Sequence, residues 1–316
     1  MPELPEVQTT VTGLSKTIIG LSIKDVWTDY NSPFFKGSET IKDPIYFKRF
    51  KKETTGQKIV DVSRRAKNIL IRLDSGKTLL IHMKMTGHIM IGRYVFDEKK
   101  KKDPWSPAPE ERPALHDPFN RHIHFVVTLS NKKHLVLSDV RKFAKVTLIE
   151  NSNEAMMNDR DDHLGGLGPE PLDKSFSFDL FKERLNKRLN GKIKTVLMDQ
   201  SIISGVGNIY SDEALFRASI HPETRVAHVS EDALKRLYKA TKEVLEKGID
   251  FGGDSTSDYR NIHGERGTFQ AAHQAYRRTG EPCGAIIDGK KCKGIIQRKV
   301  VGGRSAHFCS VHQKLR

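Results

Sequence analysis

The apolar residues of this chain change their period once, and that change limits the folds open to it. From Ile23 to about Ile149 they fall in short β-rich runs, NILIRL, TLLIHM, HFVVTL, HLVLSD and AKVTLI, separated by turn residues. Such runs predict an antiparallel β-sandwich. After GGLGPEPL at Gly165 to Leu172 the period becomes helical, in FDLFKERL, IKTVLMDQ, NIYSDEALFRA and EDALKRLYKATKEVLEKG. The second domain is therefore expected to be mainly α, which makes the fold class α+β and multidomain. A length of 316 residues leaves room for both domains and a small appended module.

The expected boundaries are 1–150 for the sandwich, 151–175 for a hinge, 176–270 for the helical domain and 271–316 for the tail. A Gly-rich polar loop over 252–269 falls late in the helical domain. A helix is expected before the sandwich at Val7 to Ile19. The stretch Phe96 to Phe119 carries Lys99 to Lys102, several prolines and no apolar period, which predicts an exposed, mobile loop.

Lys and Arg total 54 against 39 Asp and Glu, a formal charge of +15. That balance favours a polyanionic partner, nucleic acid first. No apolar run reaches the ~18 residues a spanning helix needs, and the acidic N-terminus is unlike a secretory signal, so an intracellular protein without membrane attachment is expected. All three cysteines lie in the last 34 residues. Metal ligation in a reducing compartment suits them better than a disulfide framework.

The chain begins Met1, Pro2, Glu3, Leu4, Pro5, Glu6. Removal of Met1 would bare a secondary amine at Pro2, and an α-amino group titrates near ~8 against ~10.4 for lysine, so a usable fraction is unprotonated at neutral pH. Attack on a sugar aldehyde carbon would give a cationic iminium, an electron sink that acidifies the adjacent C–H and promotes elimination. Alternatively, the prolines only stiffen a solvated tail.

The tail reads Cys283, eight residues, Cys292, sixteen residues, Cys309, two residues, His312. Two clusters of soft or borderline ligands fit one closed, structural zinc site, with free thiols as the alternative. Arg304 would then project from a hairpin tip towards a phosphate. In DQSIISGVGNIYSDEALF two glycines precede Asn208, and a helix N-terminus there would favour phosphate. Asn208 as an ordinary N-cap remains open, while nearby Lys192 and Lys194 favour contact with a DNA backbone. Met85, Arg141 and Phe143 are of the kinds that wedge into a base stack, although a Met or Phe after a β run is usually core. Lys67 reads either as a strand-edge charge or as a catalytic group.

Taken in order, PELPEV, RRAK, HMKMTG, DVRKF, LGPEPL, SGVGNIYSDEALF and a tail ending R-S-A-H-F-C-x-x-H resemble the formamidopyrimidine-DNA glycosylase and endonuclease VIII family. The resemblance implies a base-excision repair enzyme with an N-terminal β-sandwich, a helix-two-turns-helix domain and a C-terminal β-hairpin zinc finger. It implies a bifunctional glycosylase and abasic-site lyase acting as a monomer on double-stranded DNA, in the bacterial cytoplasm at the nucleoid. Carried over by residue, Pro2 is the Schiff-base nucleophile, Glu3 the general acid and Glu6 the group that orients the site. Lys67 donates a proton and contacts phosphate; Met85, Arg141 and Phe143 fill the void; Asn208 grips a phosphate. Arg304 binds phosphate and assists δ-elimination, and Cys283, Cys292, Cys309 and His312 hold Zn2+.

GGDSTSDYRNIHGERGTFQAAHQAYRRTGEPC resembles the longer loop of the branch that excises oxidised purines such as 8-oxoguanine and formamidopyrimidines. Excision of oxidised pyrimidines is the second reading. A non-catalytic damage-binding protein is the third, and it applies if Met1 is retained. His312 in place of the usual cysteine, the long Cys283 to Cys292 spacing, R-R-T-G-E-P-C and Q-A-Y all depart from the common family pattern.

Overall fold

The computed structural model describes residues 1–150 and 164–315, and its contacts divide the chain into two compact units: Met1–Asp161 with Phe251–Thr268, and Asp162–Asp250 with Phe269–Arg316. The segment 251–268 thus clusters with the first unit, although sequence order attached the loop 252–269 to the helices. Of the expected hinge, 151–163 lies outside the described residues. Its remainder is hydrogen-bonded within the second unit, where Gly168 N–H donates to the Gln200 carbonyl at 2.8 Å and Pro169 accepts from Ser204 N–H at 3.0 Å.

The first unit begins with helix α1 (Leu4–Ser15), which starts three residues before the expected Val7. Glu3 and Glu6 form a capping box and Pro5 lies in the first turn, so the backbone donors of that turn are satisfied from its first residues. Strand β1 (Ile23–Thr28) follows, then α2 (Pro44–Thr54), capped by Asp43 and invisible to a reading tuned to strands. The remaining strands are β2 (Ile59–Arg65), β3 (Asn68–Leu73), β4 (Lys77–His82), β5 (His88–Gly92), β6 (Tyr94–Phe96), β7 (Trp105–Pro107), β8 (Ile123–Leu129), β9 (His134–Ser138) and β10 (Lys145–Glu150).

Two four-stranded antiparallel sheets, in the orders β1-β8-β9-β5 and β10-β4-β3-β2, make the sandwich. Alternate residues of each sheet point inward: Ile89, Ile91, Phe125, Val127, Leu135 and Leu137 meet Ile69, Ile71, Leu79 and Ile81, with Val7, Val11 and Leu14 of α1 in the same core. The opposite face of the first sheet, Met90, Val126 and Val136, is buried too. Its cover corrects the expectation of a mobile loop over 96–119. Lys99–Lys102 are exposed, but Tyr94, Trp105 and Leu115 pack on that face, and Trp27, Phe96 and Trp105 form an edge-on ring cluster with centroids 5.2–5.9 Å apart. Covering both faces also explains why these strands read as continuous apolar runs instead of strict alternation.

The second unit holds α3 (Phe178–Asn186), α4 (Ile193–Met198), α5 (Asn208–Ala218) and α6 (Glu231–Asp250), with Tyr238 of α6 set among Phe176, Phe178 and Phe181. Two short hairpins complete it, β11 (Ile286–Ile287) with β12 (Lys290–Lys291) and β13 (Gln297–Val301) with β14 (Arg304–Phe308). Gly302 and Gly303 both have positive φ, 57° and 74°, as a two-residue hairpin turn requires.

Candidate active site and nucleic-acid interface

Pro2, Glu3 and Glu6 are all buried. Glu6 accepts the Glu3 N–H on Oε2 and the Asp254 N–H on Oε1, both at 2.7 Å. The Glu6 carbonyl accepts the Thr10 hydroxyl at 2.9 Å and the Tyr259 hydroxyl at 3.0 Å. Burial pushes the Tyr259 phenol above its ordinary range, so it stays a neutral donor. A helix start is thereby stitched to the 251–268 segment. Neither Asp254 nor Tyr259 was singled out in the sequence; a polar residue deep in a Gly-rich loop gives no periodic signal.

Lys67 sits in the turn between β2 and β3 and is only 5 % exposed, which removes its reading as a solvated strand-edge charge. Arg64 ties that turn to α1, donating from Nε to Gln8 at 2.8 Å and from a terminal nitrogen to the Ala66 carbonyl at 2.9 Å. Burial, and then the charges of Lys84 and Lys67, push His82 down to about 3, so its neutral ring accepts the Lys84 N–H on Nδ1 at 2.9 Å.

Met85, Arg141 and Phe143 come together because their loops are crossovers at one end of the sandwich. The loop after β4 starts beside the end of the loop entering β10 (His82 opposite Lys145), and the other ends meet at His88 opposite Ser138. The Arg141 guanidinium lies 4.4 Å from the Phe143 ring centroid and 3.1 Å from the Met85 sulfur. Met85 and Phe143 are 37 % and 47 % exposed, so they are not core.

Three residues missed by sequence reasoning hold this arrangement. Asp139, fully buried, accepts the Thr86 hydroxyl, the Arg141 N–H at 3.3 Å and the Ala144 N–H at 2.7 Å. Lys42 Nζ donates to the Lys142 carbonyl at 2.7 Å, where Lys142 has φ 56°. The Lys142 ammonium in turn meets Asp29 at 2.9 Å, which also bonds His124 at 3.0 Å. Burial acts to raise the Asp29 carboxyl, but hydrogen bonds from His124 and Lys142 outweigh it and hold the group below its ordinary range. Beside these loops lies a cavity of about 210 Å3, lined by Thr86, Val140, Phe119, Arg121, His122 and Asp258.

In the second unit, Asn208 is the first residue of α5 and Gly207 takes the cap position, so Asn208 is not the N-cap. Its Oδ1 is buried with no partner among the described residues. Gln200 braces the preceding turn, donating to the Met198 and Val206 carbonyls and accepting the Gly205 N–H at 2.9 Å. Lys194 differs from its expected place at a DNA backbone. It is fully buried and ion-paired with Asp212, whose other oxygen accepts the His307 N–H at 2.9 Å and lies 3.0 Å from its ring Nδ1. Lys192 and Lys299 both bond Glu223, and these bonds hold that carboxyl down at about 2. Arg304 is exposed at the start of β14, one residue past the Gly302–Gly303 turn.

The ligand atoms of Cys283, Cys292, Cys309 and His312 lie within 4.8 Å of one another. The Cys292 and Cys309 sulfurs are 3.8 Å apart, matching the ~3.8 Å edge of a tetrahedron with ~2.3 Å metal–sulfur bonds. His312 turns Nδ1 to Cys283 at 3.2 Å and Nε2 to the Phe216 carbonyl at 3.3 Å, the usual arrangement of a ligating imidazole and its outer partner. A Cβ on Gly294 would collide with the Cys309 sulfur. The donor set therefore fits a bound metal ion.

Residues 1–146 match the formamidopyrimidine-DNA glycosylase N-terminal domain and residues 167–260 the formamidopyrimidine-DNA glycosylase H2TH domain. The chain belongs to the formamidopyrimidine-DNA glycosylase family. It is 38 % identical to the formamidopyrimidine-DNA glycosylase of Heliobacterium modesticaldum, over 99 % of this chain and 100 % of that one. The Bacillus subtilis enzyme of that name is 36 % identical, over 98 % of each chain. Among solved structures, the Lactococcus lactis Fpg in complex with DNA containing an abasic site superposes with a TM-score of 0.77 at 31 % identity, covering 99 % of each chain. Its complex with DNA containing N7-benzyl-Fapy-dG gives the same TM-score and identity over 99 % of this chain and 100 % of that one. Like these family members, the chain combines a β-sandwich, a helical H2TH domain and a C-terminal hairpin module, and it is a DNA glycosylase. Among the described residues, no helix is long and apolar enough to cross a membrane.

Proposed function

We propose that this protein excises oxidised purines, 8-oxoguanine and formamidopyrimidines, from double-stranded DNA and then cuts the strand as a lyase. It would do so in the bacterial cytoplasm, at the nucleoid. Once Met1 is removed, the Pro2 nitrogen forms a bond to C1′ as the bond from C1′ to the damaged base breaks. Glu3 donates a proton to O4′ as the C1′–O4′ bond breaks to leave the iminium, which withdraws electrons so that the adjacent C–H proton is lost and the 3′ phosphate leaves by β-elimination. Lys67 and Arg304 serve proton transfer and phosphate contact, and Arg304 assists the δ step.

The observation that supports this reading best is the Glu6 carboxylate, held by both the Glu3 and Asp254 N–H groups. It fixes the segment bearing Pro2 beneath the loop whose sequence resembles the oxidised-purine branch. The flipped nucleotide costs a few kcal/mol of stacking. Met85 and Phe143, each against Arg141, would with it fill the gap the nucleotide leaves, and the neighbouring 210 Å3 cavity would receive its base. Asn208 would meet a flanking phosphate at the start of α5.

Cys283, Cys292, Cys309 and His312 would hold one Zn2+, whose contribution is structural, since four protein ligands leave no open position. These side chains shape the module that carries Arg304. The test is borohydride reduction during incubation with an 8-oxoguanine duplex. A covalent protein–DNA adduct is expected, and Pro2→Gly should abolish it while retaining duplex binding. An adduct formed equally well by Pro2→Gly would refute the assignment.

A further inference from the structure

The cavity beside the crossover loops takes only Asp258 from the Gly-rich loop; Pro118, Phe119, Arg121 and His122 form another wall. Phe119, in the short 3-10 turn Pro118–Asn120, lines it and is 52 % exposed. Its ring is fixed in place. Arg260, itself 2 % exposed and not part of the cavity lining, sets its guanidinium 4.7 Å from the ring centroid. Carbonyls of Ser257 and Tyr259, at 3.2 and 2.9 Å, and the Asp117 carboxylate at 3.5 Å hold that guanidinium.

The backbone on either side is equally constrained. Asp117 accepts the Phe119 N–H at 2.8 Å. Asn120 is 2 % exposed, bonds His88 at 2.9 Å and donates to the Ala114 and Gly264 carbonyls at 2.8 and 3.3 Å. A rigid, cation-backed ring face loses little entropy when a planar group settles on it. Other lining residues, Thr86, Arg121, His122 and Asp258, offer hydrogen-bonding groups suited to the edge of a heterocycle.

We propose that Phe119 is a specificity-determining residue that stacks on the base of the damaged nucleotide in this cavity. The inference rests on the reading of the protein as a lesion glycosylase. It assigns the segment 113–122, most of which falls in the stretch 96–119 expected from sequence to be an exposed, mobile loop, a share in base selection.

The test compares the full-length protein with Phe119→Leu and Phe119→Trp under single-turnover conditions, on duplexes carrying 8-oxoguanine, a formamidopyrimidine or a preformed abasic site. An abasic site has no base to stack, so the readout is the ratio of base excision to abasic-strand cleavage. Loss of one base–aromatic stack should lower that ratio roughly 5- to 100-fold in Phe119→Leu, and Phe119→Trp should restore it. An unchanged ratio in Phe119→Leu overturns the proposal, as does an equal loss on all three duplexes, which would mark a general structural role. If the parent protein leaves all three duplexes intact, it is the glycosylase reading itself that fails.

Discussion

The Glu6 carboxylate accepts the Asp254 N–H at 2.7 Å across 248 residues of sequence, and its second oxygen holds the Glu3 N–H at the same distance. A buried carboxylate is the strongest acceptor available for two backbone donors, and an amide cannot replace it, because one of its heavy atoms would face an N–H with another N–H. Glu6→Gln should therefore destabilise the protein by about 1.5–3 kcal/mol, measured by denaturant unfolding. Base excision should fall further than duplex affinity.

The loop carrying Arg141 and Phe143 depends on Lys42, whose ammonium is 2.7 Å from the Lys142 carbonyl and 4.9 Å from the Phe35 ring centroid. Lys42→Met keeps the aliphatic bulk and removes the donor. It should slow nucleotide flipping, read from a fluorescent base analogue opposite the lesion, without preventing folding. Asp29, which grips the same loop through Lys142, has its native carboxyl held below the ordinary value, first against burial and then by bonds from His124 and Lys142. Its stabilising contribution is thus fully present above about pH 4 and lost as pH falls through the native value. Asp29→Asn should lower stability across the neutral range, where the ionised carboxylate is lost, and converge with the parent protein in acid, where Asp29 is itself protonated, so the acid limb of the stability curve flattens.

The sandwich was legible because its strands carry long apolar runs, and the tail because three cysteines and a histidine keep ligand spacing. The trio Met85, Arg141 and Phe143 could be named from motif residues, but not the network around it. Lys42 reaches the Lys142 carbonyl and Asp29 the Lys142 and His124 side chains, each about a hundred residues away, while Asp139 gathers the Thr86 hydroxyl with two N–H groups of its own loop; such bonds leave no period or spacing. The buried face under Tyr94, Trp105 and Leu115 was hidden for a related reason. Prolines and lysines dominate the composition of that stretch, while three apolar side chains decide where it packs.

Lys194 separates the sequence reading from the structure most sharply. A lysine that only touches phosphate would, on mutation, lower the salt dependence of DNA binding and leave folding intact. The buried Lys194–Asp212 pair has no solvent to stand in for a lost partner. Lys194→Met should cost about 3–5 kcal/mol, seen as a lower unfolding midpoint in the absence of DNA.

Gly294 tests the metal module without touching a ligand. A methyl group there would press on the Cys309 sulfur. Gly294→Ala should release zinc to a chromogenic chelator faster than the parent protein does.

The proposed lyase chemistry turns on attack of the Pro2 nitrogen on the sugar. Peptide mapping by mass spectrometry of the borohydride-reduced complex measures this directly. The nucleotide mass should be carried by a peptide that begins at Pro2 and lacks Met1. An adduct on Lys67 or another lysine, or an N-terminal peptide that retains Met1 in the active protein, would contradict it.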